Sequence, residues 1–346
     1  MLALSRSRIP GCPKRMVYGP CGGVRHNGDC EMVAEPCVFD RLPDPPGPAV
    51  GDPAGGGVDS RPDSSDDWSV PLVLTDLSVP PADAATLRST ARLLAPSCDA
   101  LLVGDHQDRA DFPPSTLARL VADAGSVPWV TLACRDRTEV TLQQELQALA
   151  LDRLATVLCV TGDGRAYDVR PEATQVFDLD GTRLAARAAS LRLPVAVVES
   201  PRAHPVALRP ERLVRKQRLG ARVAVLNHVP GAAVLAGFLQ AAREAGLRIP
   251  VVASVAVFTD QASAAALVGL PGLEVDPARV ETVLSADDPV DAGIASAVEE
   301  AVQLLQLPGV AGVNLSGMAS ARGVHAAAEI QADIGRRVRM ETGARA

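Results

Sequence analysis

The chain has 346 residues, of which 47% are hydrophobic and 22% charged, and it carries a formal net charge of −7. That is enough chain for one large domain with an appendage, and the balance is that of a protein that buries a core. The acidic excess argues against a nucleic acid or a membrane surface as partner, and no apolar run of about 18 residues is present to span a bilayer.

Aromatic residues make up only 3%, so the core must be built from Val, Leu and Ala. The first residues, MLALSRSRIPGCPKR, contain no apolar stretch of the kind that directs secretion. The expected compartment is therefore the cytoplasm, where stable disulfides are rare. Four of the seven cysteines nevertheless crowd the first forty residues: Cys12, Cys21, Cys30 and Cys37. Gly and Pro surround each of them, no amphipathic period is visible, and too few apolar groups are present to pack a core unaided. Four thiols in a reducing compartment predict a metal that holds residues 1–40 together, either an iron–sulfur cluster or zinc. The intervals fit neither a zinc-ribbon CxxC pair nor a compact ferredoxin run, and four free thiols are the alternative. Residues 41–69, dominated by Pro, Gly, Asp and Ser, read as a flexible linker that separates this module from the remainder.

From residue 70 to about 340 a regular alternation sets in. Eight short apolar runs are predicted strands: Val70–Thr75, Ala100–Gly104, Val127–Ala133, Thr156–Thr161, Pro194–Glu199, Val223–Asn227, Val251–Val255 and Gly309–Leu315. Helical stretches such as Ala82–Leu94, Pro114–Ala124, Val234–Ala245 and Gln261–Val268 lie between them, and Gly323–Arg337 follows the last. The clearest unit runs from Val130 to Gly164. Two β-branched runs there flank a helix with leucines at 142, 146, 149 and 154, as in a parallel βαβ unit. Eight such units give a (β/α)8 TIM barrel. An open doubly wound sheet is the second choice, and it lacks the GxGxxG turn expected after its first strand.

Barrels carry their chemistry at the C-terminal ends of the strands. Those ends read Asp76; Asp105 and His106; Cys134-Arg135-Asp136-Arg137; Thr161-Gly162-Asp163; Glu199; Asn227 and His228; Phe258 and Thr259; Asn314 and Ser316. No HExxH, histidine–carboxylate metal triad or GxSxG nucleophile appears, which leaves acid–base work by carboxylates on a bound organic molecule. Asp76 is the leading acid, since an apolar wall would raise its pKa; capping the helix that begins near Pro81 is the competing role. Asp163, between two glycines, is placed to bond a heterocycle or simply to make a turn. Arg135 and Arg137 suit phosphates or a glutamate tail, or else pair with Asp136 or a neighbour. Cys134 stands at a strand end where it could touch a ligand, whereas Cys98 and Cys159 read as buried apolar groups. Asn227 and Asn314 place amide side chains at two of these strand ends. Lys216 lies in the basic segment RPERLVRKQRLGA, which otherwise reads as a solvated helix face. His26, His204 and His325 belong to no constellation.

Several of these segments resemble the methylenetetrahydrofolate reductase family. VTLACRDRTEVTLQQELQALALDRLATVLCVTGD is similar to the family's third-to-fourth strand unit, and Gly162-Asp163 matches its Gly-Asp. Asp76 with Pro80 falls where the family has a catalytic glutamate followed by prolines. Val176-Phe177-Asp178, Lys216 before Gly220-Ala221, and Asn227 in place of a glutamine also match in position. CPKRMVYGPCGGVRHNGDCEMVAEPCVFD closely resembles a small domain that accompanies these reductases and that occurs in acetogens as an iron–sulfur subunit.

The resemblance implies reduction of 5,10-methylenetetrahydrofolate to 5-methyltetrahydrofolate. Asp76 would protonate N10, Asp163 would contact folate and flavin, and Asn227 would hold the pterin amide. It implies FAD as cofactor, met by Cys134, Arg135, Asp136, Arg137, Thr161, Gly162, Asp163 and Lys216. NAD(P)H or a reduced partner protein would be the electron source, with a [4Fe-4S] cluster or Zn on the four N-terminal cysteines. Two other functions are compatible with the same residues: a non-catalytic folate-binding partner subunit, and a tailoring enzyme that moves a folate-borne carbon in secondary metabolism. Association into a homo-oligomer is left open.

Overall fold

The structure, a computed structural model, describes residues 11–25, 27–41, 69–70, 72–106, 109–164, 175–268, 272–317 and 320–343. Apart from its two end residues, the expected linker 41–69 lies outside the described residues, as does His26.

Eight parallel strands close into a barrel: β1 (Val73–Leu77), β2 (Ala100–Val103), β3 (Pro128–Ala133), β4 (Thr156–Val160), β5 (Val195–Glu199), β6 (Val223–Leu226), β7 (Val251–Ala256) and β8 (Val310–Ser316). Each pairs with its sequence neighbours, and β8 returns to β1 with Leu74 opposite Asn314. The expected (β/α)8 architecture is the one found. The helices are α1 (Ala84–Leu94), α2 (Pro114–Asp123), α3 (Glu139–Asp152), α4 (Gly181–Ser190), α5 (Arg209–Arg218), α6 (Ala232–Glu244), α7 (Gln261–Val268), α8 (Pro277–Leu284), α9 (Pro289–Leu305) and α10 (Val324–Glu341). Three helices follow β7, and it is α9 rather than α7 that packs against β7 and β8. The start signals of α8 and α9 are plain in the sequence: Asp276-Pro277 and Asp288-Pro289 each place an aspartate cap before a proline at the first helical position. None of the described helices is long and apolar enough to cross a membrane.

Successive side chains on a strand point to opposite faces, which divides the apolar residues into two cores. Inside the barrel lie Leu74, Ala100, Leu102, Trp129, Leu158, Ala196, Val223, Val225 and Val252. Trp129 supplies the bulk that the small side chains around it lack. Between barrel and helices lies a larger layer of Val, Leu and Ala, including Val73, Leu77, Leu132, Cys134, Leu142 and Leu146.

The N-terminal module does not stand apart on a tether. It sits against the barrel at the loops that follow β4 and β5. Val17 N donates to Asp180 Oδ2 at 3.1 Å, and Arg209 Nη1 donates to Pro20 O at 3.2 Å. Its own small core is Met16, Val24, Cys37 and Phe39, with Cys12 and Cys21 packed on it. A segment too poor in apolar residues to fold alone is thus completed by a surface it docks on.

Leu132 is fully buried in the layer between barrel and helices. Leu132→Ala should lower the unfolding free energy by about 2–5 kcal/mol in urea titrations, because the closed strand ladder cannot collapse onto the void. A loss under about 1 kcal/mol would contradict this packing.

Candidate functional site

The strand alternation that buries Leu74 inside the barrel sends Asp76 the same way, one step nearer the C-terminal rim. On β8 the same rule turns Asn314 and Ser316 inward beside it. Asn314 Nδ2 donates to Asp76 Oδ1 at 3.0 Å. Burial raises the Asp76 carboxyl to about 6, and hydrogen bonds from Asn314 and Ser316 offset only part of that rise. Asp76 does not cap the following helix. That task belongs to Asp83, whose side chain accepts from Thr86 N at 3.0 Å.

Asp76 lines a cavity of about 360 Å³ at the barrel mouth. Of the residues expected from the sequence, Asp163, Arg135, Thr161, Gly162, Lys216 and Asn227 line it too. Asn227 Nδ2 donates to Ser200 Oγ at 2.8 Å, which holds its amide across the mouth from Asp76. Asn314 stands behind Asp76 in the wall. The Gly162 turn brings Asp163 to the rim: Gly162 has φ +87, and a Cβ there would come within 2.9 Å of Arg135 Cβ. Thr161 Oγ1 accepts from Gly181 N at 3.0 Å and so ties the rim to the start of α4.

Three expectations are corrected by the geometry. Cys134 does not face the cavity. It follows Leu132 to the helix side of β3, fully buried, and burial pushes its thiol far up. Lys216 is not on a solvated face. Arg209, Arg212 and Lys216 share one side of α5 and converge on Glu199, which the alternation of β5 turns outward toward that helix. Arg212 Nη1 reaches Glu199 at 2.6 Å, Lys216 Nζ at 3.0 Å and Arg209 Nη1 at 3.4 Å. Burial alone would raise the Glu199 carboxyl; Arg212, Lys216 and Arg209 outweigh it and hold it down at about 2. Burial and the neighbouring Arg212 pull the Lys216 amine down to about 7. Arg209 and Arg212 were missed from the sequence, although their helical spacing with Lys216 marked a cationic face that needed an anion.

The third correction concerns the cysteines. Cys12, Cys30 and Cys37 lie near enough to influence one another electrostatically. Cys21 instead faces the cavity, with its Sγ 3.4 Å from Glu31 Oε1. Among the described residues no group of three or more His, Cys, Asp or Glu side chains is arranged to hold a metal ion. Burial pushes the Cys21 thiol up to about 12. In this arrangement the four sulfurs are not gathered at one point.

Arg135 and Arg137 both turn to Asp105, at 2.6 and 2.9 Å. Arg135 also donates to the carbonyls of His106 and Asp163, both at 3.2 Å. Arg137 and Asp136 face an adjoining cavity of about 280 Å³ that shares Gly104, Asp105, Thr131 and Arg135 with the first. Both guanidinium groups thus share one carboxylate, which sets their direction at the rim. His228, next to Asn227, turns away from the mouth, and burial lowers it to about 4, so it is neutral.

Residues 7–44 match the family model described as methylene-tetrahydrofolate reductase C terminal, so the cysteine module is similar to that domain. No curated protein matches the chain. In fold, 238 solved chains match, and a fold shared so widely says little about chemistry by itself. One of them is an uncharacterized protein from Clostridium thermocellum described as binding two copies of 5-methyl-5,6,7,8-tetrahydrofolic acid. It aligns with a TM-score of 0.52 and 13% identity over 76% of this chain and 93% of its own.

Glu199 contributes to stability with a definite sign in pH. Its folded pKa of about 2 lies below the ordinary 4.5, so its contribution is complete above pH 4.5 and is lost as pH falls toward 2. Glu199→Gln should cost about 3–5 kcal/mol at pH 7, because the buried guanidinium groups of Arg209 and Arg212 lose their anion. Urea titrations across pH 2–7 should also show a shallower acid loss in the variant than in the parent. Equal slopes would remove Glu199 as the anchor of α5.

Proposed function

We propose that this chain is a folate-binding relative of the methylenetetrahydrofolate reductases that holds a reduced folate in the barrel mouth and acts on its one-carbon unit. The carrying observation is Asp76: a carboxyl with a pKa of about 6, in the wall of a 360 Å³ cavity that an oriented amide also lines. The cysteine module's family match and the folate described for the Clostridium thermocellum protein support the substrate class.

The finer proposal is reduction of 5,10-methylenetetrahydrofolate. The five-membered ring must open before its bridging carbon can take a hydride, and opening requires a proton on N10. Asp76 gives that proton. The bond from N10 to the methylene carbon breaks with its electron pair going to N10, and the N5 lone pair forms the exocyclic iminium. Hydride then adds to the methylene carbon to give the N5-methyl group; a reduced nicotinamide such as NAD(P)H supplies it when bound. At pH 7 roughly one Asp76 in ten is protonated, which suits a donor that must give up its proton readily. Asn314 fixes the Asp76 rotamer. Asn227, held by Ser200, meets the amide edge of the pterin, and Asp163 meets the heterocycle from the opposite rim. The side chain at 76 is one methylene shorter than the glutamate of the resembling family.

Calorimetry with 5-methyltetrahydrofolate and anaerobic turnover with 5,10-methylenetetrahydrofolate and NAD(P)H test both levels. Asp76→Asn should lower kcat by about 10²–10⁴-fold, the usual worth of a general acid, and change folate affinity by less than about tenfold. In the parent, kcat should fall as pH rises above about 6, because the protonated form is the competent one, and Asp76→Asn should lack that limb. An unchanged kcat in Asp76→Asn removes the assignment. Folate binding without turnover in the parent makes the chain a folate-binding partner subunit instead.

A further inference from the structure

We propose that the N-terminal module is a working part of the folate site: Lys14 and Glu31 form a two-point clamp that positions Asp163. This rests on the folate reading for its ligand and on the geometry below for its mechanism.

The turn Gly162-Asp163-Gly164 is gripped on both sides of the aspartate. Lys14 Nζ donates to Gly162 O at 2.6 Å. Gly164 N donates to Glu31 Oε2 at 2.7 Å. Lys14 and Glu31 are themselves joined as an ion pair, so the two grips move as one body. From beneath, Arg135 Nη1 donates to Asp163 O at 3.2 Å. The backbone groups Gly162 O, Asp163 O and Gly164 N are therefore all engaged, and little freedom is left in where the Asp163 side chain starts.

The pair is buried: Lys14 is 2% exposed and Glu31 9%. A charged pair out of water holds its geometry more tightly than one on a surface. The module is shaped around it. A Cβ at Gly23 would lie 1.7 Å from Glu31 Oε1, so only glycine leaves room for the carboxylate to reach the turn. Lys14 Nζ also rests over the Phe177 ring at 5.6 Å and is drawn toward Asp163 electrostatically. Cys21, Gly22 and Gly23 meanwhile form one wall of the cavity. Lys14 also lines the cavity, and both residues are placed to act through Asp163 as positioning residues.

The test is a double-mutant cycle with a backbone readout. Lys14→Met and Asp163→Ala should each weaken 5-methyltetrahydrofolate binding by about tenfold or more, the worth of one charge-assisted hydrogen bond. The double variant should bind no worse than Asp163→Ala alone. In hydrogen–deuterium exchange without ligand, Glu31→Ala should speed the Gly164 amide by about tenfold or more while β3 and β4 keep their protection. If β3 and β4 lose protection in a truncated variant, Glu31→Gln replaces it. Its neutral amide weakens the hold on Lys14 and should cost about threefold in affinity, a cost that Asp163→Ala abolishes. Additive losses, unchanged affinity or an unchanged Gly164 amide overturn the clamp. If the parent protein binds no 5-methyltetrahydrofolate, the folate reading falls, and exchange at Gly164 alone decides whether the clamp stands.

Discussion

The closed parallel ladder imposes a strict two-residue alternation on every strand, and nearly everything at the mouth follows from it. Residues one apart at a strand end go to different places. Asp76, Asn227, Asn314 and Ser316 turn into the barrel; Glu199, Cys134 and His228 turn toward the helices. In an open sheet an edge can slip by one residue and exchange these faces. A barrel has no edge, and β8 pairs with β1, so a slip anywhere would have to be paid around the whole ring.

The charged groups at the mouth are arranged so that most cations answer to a carboxylate of the protein itself. Asp105 takes Arg135 and Arg137. Glu199 takes Arg209, Arg212 and Lys216. Glu31 takes Lys14. Desolvation makes each group expensive to bury alone, and each cluster instead stiffens the loop or helix that carries it. Asp76 is the exception. It has hydrogen-bond donors but no cation, so burial governs it and leaves it near neutrality. A buried carboxyl with hydrogen-bond donors and no counter-charge is suited to exchange a proton.

The cysteine module takes a further place in this scheme. Its small core could not hold it folded, and its contacts to Asp180, Arg209 and the Gly162–Gly164 turn convert it into a wall of the cavity. A glycine-rich chain suits that position, because backbone can approach backbone where side chains would collide.

The sequence by itself determined the architecture: eight β-branched runs at regular intervals, alternating with helical patterns, admit few arrangements other than a barrel. It also determined where the polar residues would gather, since a strand's C-terminal end is recognisable from its apolar run. Asp76, Gly162, Asp163 and Asn227 were legible for that reason. Tertiary structure decided what periodicity over a few residues cannot show. Whether Lys216 met water or Glu199 depended on how α5 was rotated against β5. The fate of the cysteines depended on a docking surface more than a hundred residues away, which turned Cys21 to the cavity and gave Lys14 and Glu31 a turn to hold. Local pattern records which residues can sit together on one element; only the closure of the chain decides which element they meet.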